Sequence, residues 1–176
     1  MRRLGVGGVV VALCLAMAVG GGCKKKGPSP LDDGSLDGSA QGLAESGAAG
    51  GSMARARQGL PPEEDGILRD VRFGYDAADL DGEAQGIADE NIAWLKANPR
   101  AKVELEGHCD ERGTIEYNLA LGSRRAASVK EYLLTNGITG DRVVTISYGK
   151  ELPLCQQQSE DCYARNRRVH FVVLGQ

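Results

Sequence analysis

The chain has 176 residues and a formal net charge of −3, and its composition is uneven. Of its 25 glycines, 14 lie in the first 60 residues, whereas all eight aromatics, from Phe73 to Phe171, lie beyond residue 72. A Gly-rich stretch without aromatics cannot bury enough apolar surface to offset the entropy of ordering it. The globular part is therefore about 110 residues, the size of one domain. This excludes a multi-domain enzyme, and a single continuously apolar run near the N-terminus excludes a polytopic membrane protein. Residues 61–176 carry 14 Lys+Arg against 20 Asp+Glu. That balance excludes nucleic acid as the expected partner, because basic patches supply most of that affinity.

The first segment, residues 1–22, has the layout of an export signal. Arg2 and Arg3 form a basic start, and Val6 to Val19 is an apolar run too short to span a bilayer comfortably. Gly20-Gly21-Gly22-Cys23 follows. Small residues directly before a cysteine resemble a bacterial lipobox, in which the cysteine takes lipid and becomes the mature N-terminus; an ordinary secretory signal with an incidental cysteine is the alternative. Residues 23–62 read as a linker rich in Gly, Ala and Ser, with Lys24, Lys25 and Lys26 placed either to meet anionic headgroups or simply to be solvated. As a flexible coil such a stretch has a root-mean-square span of roughly 35 Å. Pro61-Pro62 marks the approach to the folded part, 63–176.

Alternation at Val71-Arg72-Phe73-Gly74-Tyr75 predicts a first strand. Ala84, Ala88, Ile92 and Leu95 have helical spacing over 81–97, with Trp94 as a packing residue, and Asn98-Pro99 stops that helix. A second strand covers 102–107, with Val103 and Leu105 on one face and Glu104 and Glu106 on the other. Gly122, Ala126, Val129 and Leu133 form the stripe of a second helix over 116–135, ending at Asn136-Gly137. Strands over 143–148 and 168–174 complete the order βαβαβ, loop, β. The economical solution is an α/β fold of the α+β type: a four-stranded mixed sheet with two main helices on one face.

Five cysteines are encoded. Cys14 leaves with the signal and Cys23 takes lipid. Cys155 and Cys162 are close in a polar loop, and export to an oxidising compartment favours their pairing. The rival, a metal site, lacks a clear ligand set nearby. Cys109 is left as a free thiol.

The densest constellation is Gly107-His108-Cys109-Asp110-Glu111-Arg112-Gly113-Thr114, between the second strand and second helix, where a loop usually meets a ligand. Asp110 and Arg125 are candidates to converge there. A carboxylate and a guanidinium together suit a zwitterion, one taking an ammonium and the other a carboxylate. The bland alternatives are that Asp110 caps a helix and Arg125 is a surface residue. His108 is expected in a structural hydrogen-bonding role, since no nucleophile or substrate proton is in evidence for a base. Cys109 has no third orienting group for thiol catalysis.

Three runs then resemble a known family: GHCDERGTIEYNLALGSRRAASVKEYL (107–133), VVTISYGKELP (143–153) and NRRVHFVV (166–173). They are similar to the peptidoglycan-associated lipoproteins of the OmpA-like domain family, over about residues 68–174. The resemblance implies non-covalent binding of the diaminopimelate of peptidoglycan stem peptides, through Asp110 and Arg125. His108, Thr114, Asn118 and Arg167 are further carry-overs from the motifs, and Gly122-Ser123 is a departure not expected to alter the pocket. It also implies an outer-membrane lipoprotein anchored at Cys23 in the inner leaflet with its domain in the periplasm, membership of the Tol–Pal system and cell division machinery, and TolB as a partner. No cofactor, no metal and no enzymatic activity are expected. The alternatives are an envelope protein-interaction module without wall binding, and a wall-modifying thiol or metal hydrolase.

Overall fold

The computed structural model describes residues 51–61 and 63–175. The expected export signal, the lipidation cysteine Cys23 and most of the expected linker lie outside the described residues. The elements in chain order are α1 (Ser52–Arg57), β1 (Val71–Arg72), α2 (Gly82–Ala97), β2 (Lys102–His108), α3 (Ile115–Thr135), a 3-10 turn at Gly140–Arg142, β3 (Val143–Gly149), α4 (Glu160–Asn166) and β4 (Arg168–Gly175).

The helix ends follow local side-chain chemistry. The Asp81 carboxylate accepts from the Ala84 N–H at 2.9 Å and starts α2. Thr114 Oγ1 accepts from the Tyr117 N–H and starts α3, and Ser159 does the same for α4 through the Cys162 N–H. Such caps satisfy N–H groups that have no partner inside the helix. At the other end of α3, Gly137 takes φ +93° and Ile138 N–H returns to the Leu133 carbonyl, a left-handed stop suited to glycine.

The sheet order is β1-β4-β2-β3. Parallel pairing joins β2 to β3, and β4 runs antiparallel to both β2 and β1. Both long helices pack on one face. Ala84, Ala88, Ile92 and Leu95 of α2 and Ala126, Val129 and Leu133 of α3 meet Val103, Leu105, Val143, Val169 and Phe171 of the strands. The mixed sheet with two main helices on one face is the expected architecture.

Three details differ from the expectation. The first strand stops after Arg72 rather than reaching Tyr75, because Asp76 adopts φ +53° and the chain turns away. The loop between β3 and β4 holds the short helix α4. The stretch expected as linker up to residue 62 includes α1. There the Ser52 N–H donates to Glu106 Oε1 at 2.9 Å, and the Ser52 hydroxyl donates to Glu106 Oε2. The physical reason lies on β2. Glu104, Glu106 and His108 share the sheet face opposite the helices and are nevertheless buried, together with Arg168, His170 and Asp70. A buried carboxylate needs donors, and α1 supplies two of them to Glu106.

Candidate functional site

A cleft of ≈ 160 Å³ opens where β2 runs into α3. Its floor is built by one unusually placed cation. Arg125 lies on α3, and none of its surface is exposed. Its Nε donates to the Ala77 carbonyl at 2.7 Å, NH1 to the His108 carbonyl at 2.9 Å and NH2 to the Gly74 carbonyl at 3.1 Å. The guanidinium also stacks on Phe73, 5.2 Å from the ring centroid. It therefore ties the loop after β1 to the end of β2. Burial pushes its pKa down from the ordinary arginine value, yet a guanidinium stays charged in a protein. Among the described residues no carboxylate lies within ion-pair distance of it.

Asp110 lines the same cleft. Its carboxylate is nearly buried and fully engaged. Oδ1 accepts from the Arg112 N–H at 3.1 Å and Arg112 Nε at 3.2 Å, and Oδ2 accepts from Arg112 NH2 at 2.7 Å and Arg167 NH1 at 3.3 Å. Burial alone would raise its pKa, but the hydrogen bonds from Arg112 and Arg167 outweigh that and hold it below the usual carboxylate range.

The other candidates fall in different places. Asn118 lines the cleft and its amide donates to the Arg112 and Thr114 carbonyls, fixing the loop. Arg167 stands behind Asp110, buried, and also bonds the Phe73 carbonyl and Glu160. Thr114 caps α3 and is not part of the cleft lining. The His108 imidazole belongs to the opposite sheet face, with Nε2 3.5 Å from Glu106 Oε2 and its ring 5.6 Å from that of Tyr148. Only the His108 carbonyl reaches the site, through Arg125. Side chains along a strand point alternately to opposite faces, so the residue next to Cys109 turns away from the cleft.

Cys109 does line the cleft, but its thiol is buried and burial pushes its pKa up. A protonated, enclosed thiol is a poor nucleophile. Cys155 and Cys162 are joined by a disulfide. Among the described residues no cluster of three or more His, Cys, Asp or Glu is arranged to hold a metal ion, and no helix is long and apolar enough to cross a membrane.

The structure adds cleft residues that sequence reasoning missed: Tyr75, Asp76, Tyr117 and Leu121, with Arg112 and Gly113 of the loop beside them. Tyr117 hydroxyl meets Asp76 Oδ1 across the cleft mouth. Tyr75 is 66% exposed, and a large aromatic left in solvent at the rim is suited to stacking on a ligand. The Tyr75-Asp76 signal was hidden because the local alternation assigned that stretch to a strand.

The comparisons with known proteins concern the chain as a whole. The OmpA family matches residues 72–167. The peptidoglycan-associated lipoprotein of Pseudomonas aeruginosa is 40% identical over 170 residues, covering 93% of this chain and 95% of that protein. The peptidoglycan-associated lipoprotein of Rhizobium meliloti is 35% identical over 175 residues, covering 99% of this chain and 92% of that one. The crystal structure of the peptidoglycan-associated lipoprotein from Burkholderia pseudomallei superposes with a TM-score of 0.58 at 34% identity, over 61% of this chain and 91% of that one. On fold, motifs and extent of similarity, the chain belongs to the OmpA family and within it to the peptidoglycan-associated lipoproteins.

Proposed function

We propose that the protein is a non-enzymatic envelope lipoprotein that binds peptidoglycan non-covalently, with the cleft between β2 and α3 taking the diaminopimelate of stem peptides. The observation that carries this reading is the buried Arg125 guanidinium, which has no carboxylate partner within ion-pair distance among the described residues. A buried cation without a counter-ion is costly, and a ligand carboxylate entering the cleft relieves that cost. Asp110, on the same cleft, is the acceptor for the ligand's ammonium. Together they match one zwitterionic end of an amino acid, and no group in the cleft is placed for covalent chemistry.

In this proposal residues 1–22 are the export signal, Cys23 carries lipid in the inner leaflet of the outer membrane, and the following residues lead to the periplasmic domain. The protein thereby fastens the outer membrane to the wall within the Tol–Pal system, with TolB as protein partner. The likeness to the peptidoglycan-associated lipoproteins supports these finer points.

Co-sedimentation with purified peptidoglycan tests the site. Asp110→Asn is expected to reduce the bound fraction about tenfold or more, the scale of a lost charge-assisted contact. Free diaminopimelate is expected to release wild type from the wall. Wild-type binding that is indifferent to both the substitution and the competitor would overturn the assignment.

A further inference from the structure

Asp110 cannot accept a ligand ammonium as the structure stands. A carboxylate offers about four lone-pair directions, and all four are taken: three by Arg112 and one by Arg167. One of these donors must leave. Arg167 is held on three sides and its side chain is only 8% exposed. The Arg112 side chain is 36% exposed, so it is the cation free to move.

Its surroundings supply both a track and a destination. The guanidinium lies between two aromatic rings, 4.2 Å from the Tyr75 centroid and 4.5 Å from that of Tyr163. Tyr163 is fixed by its hydroxyl, which donates to Glu111 Oε1 at 2.9 Å. Glu160 Oε2 already stands 3.6 Å from Arg112 NH1, while its Oε1 accepts from Arg167 NH2 at 2.7 Å. A guanidinium stacked between rings can rotate in their plane without losing its cation–π contacts.

We infer that Arg112 is a positioning residue of this cleft: a resident counter-ion on Asp110 that a ligand ammonium displaces onto Glu160. The inference rests on the diaminopimelate-binding reading above and deepens it. A plain amine gains Asp110 only by breaking a bidentate ion pair, and it offers nothing to Arg125. A zwitterion gains Asp110 and neutralises Arg125 in the same event. The exchange therefore lowers the affinity of both ligands by the same factor, so that an amine with no carboxylate for Arg125 binds too weakly to hold the cleft.

Isothermal titration calorimetry on the full chain tests this with two probes of the same amine-to-amine spacing, meso-diaminopimelate and 1,5-diaminopentane, which lacks both carboxylates. Wild type is expected to bind diaminopimelate and to bind the diamine at least about tenfold more weakly. Arg112→Gln opens Asp110 and is expected to tighten both probes about tenfold, the scale of one charge-assisted contact, with the ratio between them kept. Glu160→Gln removes the destination and is expected to weaken diaminopimelate severalfold. Thermal melts accompany both variants; if Arg112→Gln fails to fold, the exposed Glu160→Gln decides alone. Unchanged affinity for both probes in Arg112→Gln, or in its absence wild-type affinity in Glu160→Gln, overturns the inference while leaving the binding reading intact. Failure of wild type to bind diaminopimelate overturns the binding reading itself.

Discussion

Gly107 of β2 and Gly122 of α3 meet backbone against backbone. A Cβ placed on Gly107 would stand 2.0 Å from the Gly122 carbonyl oxygen, and one placed on Gly122 would stand 2.3 Å from Ser147 Oγ. The two glycines let the helix lie close enough to the strand for Arg125, three residues on, to reach the His108 carbonyl. Alanine at an ordinary helical glycine stabilises by up to about 1 kcal/mol. Gly122→Ala is expected to do the reverse and cost about 3 kcal/mol, since the backbone must shift. Gly86 of α2 has nothing within 4 Å of its Cβ position, and Gly86→Ala is expected to stabilise. Urea denaturation of the two variants should therefore give opposite signs; the same sign in both would remove the close-approach argument.

Arg125 is expected to be sensitive to shape as well as charge. Its fork serves three carbonyls from two segments, and a lysine ammonium cannot reproduce that planar set. Arg125→Lys should lower stability by about 2–3 kcal/mol, the scale of buried acceptors left unpaired, and should lose diaminopimelate binding. Melting temperature and calorimetry on the same sample check both, and a variant as stable as wild type would show that the carbonyl contacts contribute little.

Acid should weaken the fold through His108. Burial, reinforced by the Arg168 charge, pushes its imidazole down to about 4 from an ordinary 6.5. The unfolded chain therefore binds more protons than the folded one between those values. Stability from this group is complete above about pH 6.5 and is lost as the pH falls towards 4, by on the order of 3 kcal/mol. Glu106 acts in the same direction at lower pH: burial opposes its ionisation, but the neighbouring His108 and the hydrogen bonds from Ser52 outweigh it and hold its pKa below the usual range. Its stabilisation disappears as the pH falls through that lowered value. Denaturant titrations at pH 7, 5.5 and 4 should show the decline, and His108→Asn should flatten it above pH 4. A wild-type profile already flat from 7 to 4 would contradict the assignment.

Reducing the Cys155–Cys162 disulfide should cost about 2.5 kcal/mol on the chain-entropy account of so short a loop. The loss should appear as a lower melting temperature in dithiothreitol, absent in Cys155→Ser/Cys162→Ser. If reductant shifts wild type and the double variant equally, the bond is not what stabilises α4.

The sequence by itself determined the sheet, the two long helices and the position of the candidate loop. Apolar residues at periods of two and 3.6 report directly which face of each element is buried, and the motif run 107–133 marks Asp110 and Arg125. Tertiary structure alone decided the rest. Glu104 and Glu106 alternate like solvent-facing strand residues, yet both are buried, and a segment more than 40 residues upstream returns as α1 to supply donors to Glu106. Tyr75 and Asp76 join the cleft because the chain turns after Arg72, and His108 leaves it because the strand's pleat sends its ring to the other face. The occupation of Asp110 by Arg112 was equally invisible, since adjacency in a loop does not say which side chains pair. Each of these depends on what a distant segment places beside the residue, and local periodicity carries no record of that.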